Sequence, residues 1–314
     1  MNSQNTFTVL IPTWKRELKL TTCLEHLLVQ KICPDQVLVV VRPEDSGSQA
    51  IIHSFQEKMP YLKKVFVHDI GVVAAENAGL KVIDTTHVCF LDDDGYAPID
   101  WMEKIKIFFE NYPNALALGG GDLIKLEPES YHDFPQNIVG KLTFYGKVIG
   151  NHHRKIIGGM RKVDVLKGVN MTFKRSSFDF LDERLTGKEG HLGNGSQWEL
   201  DLCMRVKSIS DEIYFDPSLM VVHDSNHSHH NFIESAKNNT HNLTYVILKN
   251  SSLVNKISFL IYAIFVGNTQ LPGVTKFLFD LRKFNDVFFN SRLYYQKWLG
   301  FIFGIKTYVR SISL

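Results

Sequence analysis

Three consecutive carboxylates, Asp92, Asp93 and Asp94, stand in the stretch HVCFLDDDGYAP at residues 87–98. Carboxylates this close repel one another, and a cation readily offsets the repulsion. Asp92 and Asp94, two apart, can point to one side and offer hard oxygen ligands to Mg2+ or Mn2+. A solvated acidic turn would use the same residues, so the triad alone leaves both readings open. The acid spacing of a calcium-binding EF-hand loop is absent. A second acidic pair, Glu199 and Asp201, lies in QWELDLCMR at residues 197–205, near the start of a predicted helix whose dipole favours negative charge. His223 closes an apolar run ahead of Asp224, where an imidazole is either structural or a ligand.

These groups need elements to hold them. Residues 7–11 (FTVLI) predict a first strand, stopped by Pro12 and Thr13. Leu20, Cys23, Leu24, Leu27 and Leu28 follow at helical spacing. Residues 36–41 (QVLVVV) predict a second strand, and a helix carrying Ile51, Ile52 and Phe55 leads to a third at 64–67. A small-residue helix after Gly71 precedes the strand that delivers the triad. Strands buried on both faces and alternating with helices predict a parallel, doubly wound sheet. Its ligand crevice would lie at the carboxyl ends of the strands, where the triad falls. Neither GxGxxG nor GxxxxGK[ST] occurs in the first loop, which disfavours dinucleotide and P-loop sites. Further along, 101–109 reads as an amphipathic helix and 115–118 as a strand entering Gly119, Gly120 and Gly121. The stretch 122–160 reads as irregular, 163–173 as a strand, 187–195 as a flexible glycine-rich loop, and 213–215 and 219–222 as two short strands.

The chain has 314 residues, 44% hydrophobic and 22% charged, ordinary for a globular protein. Its charge is unevenly placed. Residues 229–314 hold ten Lys/Arg against three Asp/Glu, a local +7 that leaves −5 for the first 228. An acidic, metal-using body with a basic, aromatic tail is the expectation. In the tail, Val274, Phe277, Leu278, Leu281, Phe284 and Phe288 recur at helical spacing among Lys276, Arg282 and Lys283, ahead of Tyr294, Tyr295, Trp298 and Phe301. Such helices fit a membrane surface, through 253–305, or packing on the catalytic domain or on a second subunit as an oligomer. No apolar segment reaches the ~18 residues of a membrane span. No nucleic-acid-binding motif accompanies the charge. Cys23, Cys33, Cys89 and Cys203 form no CxxC pair and read as small buried hydrophobes. The polar start predicts a cytoplasmic protein, and the basic, aromatic tail would place it peripherally on the inner face of the cell membrane.

In order, the motifs resemble glycosyltransferase family 2, over roughly residues 6–226. The resemblance implies a GT-A fold: an α/β, mostly parallel doubly wound sheet, here with a C-terminal helical extension. Its domain boundaries would be 1–228 for the catalytic domain (1–121 nucleotide-binding, 122–228 acceptor) and 229–314 for the extension. TVLIPTWKR is similar to the family's opening loop, placing Pro12, Thr13, Trp14 and Arg16 on the donor nucleotide. Arg42, Glu44, Asp45, Asn77, Asp92 and Asp93 complete the implied donor site. FLDDDGYAP resembles the family's DxD segment, so Asp92 and Asp94, with His223, would hold Mn2+ or Mg2+. KGVNMTFKR resembles the acceptor-side strand. QWELDLCMR resembles the helix bearing the catalytic base, which makes Glu199 the candidate and Asp201 the reserve.

The chain departs from the pattern in three places. Arg42 stands in VVVRPEDSGS where the family usually has VVDDGS. Glu76 replaces a frequent Arg, and Glu199 replaces a common Asp. The implied reaction is metal-dependent, inverting transfer from a nucleotide-sugar donor to a glycan or lipid-linked sugar acceptor, in surface polysaccharide or glycolipid synthesis. The alternatives are a nucleotidyltransferase on a related fold and a non-catalytic sugar-nucleotide-binding module.

Overall fold

Two fully apolar runs form the middle of the sheet. Phe7–Pro12 (β1) pairs in parallel with Gln36–Val41 (β2), whose six side chains are all buried. The computed structural model describes residues 5–134, 138–185, 195–225, 232–283 and 287–313. Helices Glu17–Leu28 (α1), Ser46–Gln56 (α2) and Val72–Leu80 (α3) alternate with β1, β2, Leu62–Phe66 (β3) and His87–Phe90 (β4). β3 is an edge strand, and its Lys63 and Lys64 are exposed. Burial on both faces therefore fails there, as expected where charged side chains guard an open edge.

The remaining strands of the main sheet are Gly95–Tyr96 (β5), Ala117–Ile124 (β6), Arg161–Lys162 (β7), Met171–Lys174 (β8) and Ile213–His223 (β9). Helix Trp101–Asn111 (α4) lies between β5 and β6, and Trp198–Ile209 (α5) precedes β9. These nine strands form one sheet among the described residues, in the order β7-β9-β6-β8-β4-β1-β2-β3, with β5 paired to β9. β4, β1, β2 and β3 are parallel, as are β6 and β9, whereas β8 runs antiparallel between β4 and β6. The mostly parallel, doubly wound α/β sheet read from the alternation is thus present.

Three local readings change. The strand expected over 163–173 is confined to β8, because the chain turns at Gly168–Asn170. That turn lets the buried Asn170 amide donate to the carbonyls of Gly121 (3.0 Å) and Leu219 (2.8 Å) and accept from Trp101 Nε1 (2.9 Å). The two strands expected at 213–222 are one, with a bulge between Phe215 and Met220 that accommodates Pro217. The strand expected at 115–118 runs on through the glycines to Ile124, since a Cβ on Gly120 would stand 1.5 Å from the Leu219 carbonyl oxygen. Within the stretch read as irregular, Asp133–Phe134 pairs with Lys155–Ile156. Most of the predicted glycine-rich loop, residues 186–194, lies outside the described residues. Cys23, Cys89 and Cys203 are buried as expected, but Cys33 is exposed.

The chain divides into two compact units. One is built from Met1–Lys141, Ile149–Leu181 and Leu202–Asn226, and holds the sheet. The other comprises Leu142–Val148, Asp182–Asp201 and His227–Leu314. Its helices are Phe232–Asn250 (α6), Leu253–Ile261 (α7), a π-helical turn at Tyr262–Val266, Val274–Lys283 (α8) and Val287–Ile312 (α9). α6 and α9 cross closely because Gly300 and Gly304 have no side chain. A Cβ on either would meet the backbone oxygens of Lys237 and His241 at 2.3 and 2.6 Å. Phe284 of the predicted apolar face lies outside the described residues.

Candidate metal and donor site

The triad follows β4 where that strand leaves the sheet centre. Leu91 still pairs with Leu10 (N to O, 3.1 Å), and then Gly95 N turns back to the Asp92 carbonyl at 2.9 Å. β5 lies antiparallel to the end of β9, and Asp224 N donates to the Asp94 carbonyl at 2.8 Å. This return brings His223 to the carboxylates. One ligand atom each from Asp92, Asp94 and His223 lies within 4.8 Å of the others. His223 Nε2 is 3.3 Å from Asp94 Oδ1, and its Nδ1 is 3.0 Å from Asp122 Oδ2.

Asp93 turns another way. It is buried, accepts from Thr13 Oγ1 at 2.8 Å, and is 3.0 Å from Arg16 Nη1. Arg16 also reaches Asp94 at 3.2 Å, as does Lys19 Nζ at 3.2 Å. Side-chain cations therefore offset much of the repulsion within the triad. Burial pushes the Asp93 carboxyl up to about 6, against the pull of Arg16. For Asp94, burial also works upward but is outweighed by His223, Arg16 and Lys19, so its carboxyl sits below the usual range. Burial would lower His223; its hydrogen bonds to Asp122 and Asp94 win and raise it to about 9.

Asp122, Lys19 and Lys167 escape a reading of the sequence. Asp122 is completely buried, bonded to both His223 and Lys167. Only the β6–β9 register, in which Asp122 faces Val221 beside His223, brings it to the site. The single local hint is an acid directly after three glycines.

The first two strand ends carry the other implied donor residues. Thr13 N bonds to Val40 O at 2.9 Å, tying the loop after Pro12 to β2. The partly exposed Trp14 ring has two cations over it, Arg42 at 4.5 Å and Lys15 at 4.8 Å from its centroid. Arg42 also pairs with Glu44. Asp45 is buried and accepts from Lys15 N at 2.6 Å and Ser48 N at 3.1 Å, so its carboxylate fastens this loop to the start of α2. Those two amides outweigh burial and lower its carboxyl from the ordinary value. Asn77 stands apart, exchanging two hydrogen bonds with the Leu181 backbone at 3.0 and 2.8 Å. Burial, with Asp92 as a lesser cause, raises the neighbouring Glu76 carboxyl well above its usual range.

Glu199 and Asp201 occupy the first turn of α5, in the second unit. Asp201 is fully buried, with Lys249 Nζ at 2.9 Å and Asn250 Nδ2 at 2.8 Å. Glu199 is half-buried.

The residues at the triad fit a divalent cation. Two carboxylates and one imidazole form a hard, mixed donor set suited to Mn2+ or Mg2+. Asp122 holds His223 Nδ1, which turns Nε2 toward the carboxylates, as a metal-ligating histidine needs.

Known proteins match this chain in sequence and in fold. Residues 8–181 match the model for the family described as Glycosyl transferase family 2. The "Glucosyl-dolichyl phosphate glucuronosyltransferase" of Haloferax volcanii is 24% identical over 210 residues, 64% of this chain and 62% of that protein. The "Minor teichoic acid biosynthesis protein GgaB" of Bacillus subtilis is 29% identical over 116 residues, 35% of this chain and 13% of its own length. The chain thus spans less than two thirds of either relative. S. aureus TarS 1-349 in complex with UDP-GlcNAc superposes with a TM-score of 0.56 at 16% identity, covering 81% of this chain and 71% of that one. The mannosyltransferase PcManGT from Pyrobaculum calidifontis, in complex with GDP-Man and Mn2+, gives 0.54 at 13% identity over 97% and 88%. At such identities these likenesses show the fold, which is GT-A.

Proposed function

This chain belongs to glycosyl transferase family 2, a family of enzymes, and from that premise we propose that it transfers a sugar, with inversion, from a nucleotide-sugar donor to a hydroxyl acceptor. The observation that carries the proposal is the meeting of Asp92, Asp94 and His223 at the ends of β4 and β9. A divalent cation held there would supply positive charge to the donor diphosphate as its leaving oxygen gains negative charge. Asp92, Asp94 and His223 hold the ion, and Asp122 orients the imidazole. Thr13 and Arg16 fix the buried Asp93 beside the proposed ligands, where it supports the donor site. Trp14, with Arg42 over its ring and Glu44 paired to Arg42, offers an aromatic ring and polar groups to the nucleotide base, while Asp45 shapes that loop.

In an inverting displacement a carboxylate must take the acceptor proton from the face opposite the leaving group. Glu199 fills that role in our reading, with Asp201 as the reserve. We assign residues 1–228 to catalysis and 229–314 to an extension. The acceptor is a glycan or lipid-linked sugar in surface polysaccharide or glycolipid synthesis, worked on from the cytoplasm. The two sequence relatives, a glucosyl-dolichyl phosphate glucuronosyltransferase and a minor teichoic acid biosynthesis protein, support that acceptor class.

The test is release of nucleoside diphosphate from a panel of nucleotide sugars, with Mn2+ and with chelator, in the wild type and in Asp94→Asn. Metal-dependent release lost in the variant supports the reading. Tight metal-dependent donor binding without release, under any acceptor tried, would favour a binding module instead.

A further inference from the structure

The second unit leaves an apolar helix face uncovered. Along α7 and its π-helical turn, Val254, Ile257, Ile261 and Phe265 recur every three or four residues, at 70%, 51%, 54% and 59% exposure. The opposite side is packed: Phe259 and Ala263 are fully buried. The chain then doubles back tightly. Gly273 N donates to Ala263 O at 2.9 Å and Thr275 Oγ1 to Phe265 O at 2.8 Å, so α8 starts beside the exposed Phe265. α8 adds exposed Val274 and Leu278, with exposed Arg282 one turn further. Solvent does not stabilise such a stripe, and a single apolar surface residue differs from a row of them.

Charge says what covers the face. Residues 235–279 contain four lysines and not one Asp or Glu, and the tail beyond 228 carries +7 in total. The apolar stripe is flanked by Lys256 and Arg282, and Asp280, the one acid between those two, is paired with Lys276, so the face complements a surface that is apolar within and negative at its boundary. Among the described residues no helix is long and apolar enough to cross a membrane. We propose that α7, the π-helical turn and the start of α8 lie in the interface of an anionic lipid bilayer, with the stripe among the acyl chains and the basic residues at the headgroups.

The test needs no turnover, so it stands or falls apart from the transferase reading. The full chain is sedimented with sucrose-loaded vesicles of phosphatidylcholine, alone or mixed with phosphatidylglycerol. We expect binding to the mixed vesicles that weakens in high salt and without the anionic lipid. Ile257→Ser/Ile261→Ser should lower the affinity about tenfold or more, because two side chains no longer partition. Both positions are half-exposed, so the melting temperature should hold. If this variant melts early, Val254→Ser/Leu278→Ser replaces it. Failure of the wild type to bind anionic vesicles, or equal binding by a folded variant, overturns the proposal. So does light scattering that finds a wild-type dimer, split by the same substitutions, in a protein that ignores vesicles; the face would then be covered by a second copy.

Discussion

His223 Nδ1 lies 3.0 Å from Oδ2 of Asp122, a carboxylate with no solvent exposure at all. The bond spans two neighbouring strands and fixes which ring nitrogen faces Asp94. Asp122→Asn should therefore lower Mn2+ affinity by about 10–100-fold without touching a proposed ligand. Calorimetry of Mn2+ with donor present measures it. An unchanged affinity would make the Asp122–His223 bond purely structural.

Metal removal should spare the fold. Arg16, Lys19 and His223 already surround Asp93 and Asp94, unlike a structural zinc site whose ligands need the ion to fold. Chelator should move the melting temperature by no more than about 2 °C, on the order of 1 kcal/mol for a chain of this size. Donor binding should vanish in the same sample. A large drop in melting temperature on chelation would show that the ion organises the site.

Glu199 and Asp201 should separate by what their removal damages. Glu199→Gln keeps shape and should lower transfer by about 10²–10⁴-fold while donor affinity survives. Asp201→Asn removes one of two carboxylates on the partly buried Lys249, Asp182 remaining at 2.8 Å, and should cost about 1–3 kcal/mol of stability. Denaturant unfolding beside transfer kinetics, in both variants, reads the two effects. A stable but inactive Asp201→Asn beside a normal Glu199→Gln would exchange the roles.

His87 should set an acid limit to stability. It is buried between Phe7 and Phe109, with ring centroids 4.7 and 4.3 Å away, and burial lowers its pKa to about 4. Unfolded, the same group titrates near 6.5. The unfolded chain therefore binds the proton first, and stability from this group, complete above that value, is lost as pH falls from about 6.5 to 4. The loss is on the order of 3 kcal/mol. His87→Phe keeps the stacking and should flatten unfolding free energy against pH over that window. The buried His152, also lowered to about 4 by burial, would leave a residual slope of the same sign.

What could be read from the sequence divides by the reach of each signal. β1, β2 and β4, the triad and His223 announce themselves in windows of a few residues, through apolar runs ending in polar groups. Asp122 and Lys167 do not, because their meaning comes from partners 101 and 45 residues away. Asp201 shows the same limit: near a helix start it looks like any acid favoured by the dipole, and its burial against Lys249 depends on a helix 48 residues later. The expected strand at 163–173 failed for a related reason. Asn170 turns the chain to satisfy carbonyls on β6 and β9, a demand set by the sheet and absent from local propensity.

Gly120 limits how this protein can diversify. A single added methyl would collide with the Leu219 carbonyl at 1.5 Å and with the Asn170 amide nitrogen at 2.7 Å, neither of which has somewhere to go. Yielding would force β6 and β9 apart, and those strands carry Asp122 and His223 a few residues further on. The spacing that aims the imidazole hangs on one hydrogen atom, the one that stands at Gly120 where any other residue carries a Cβ.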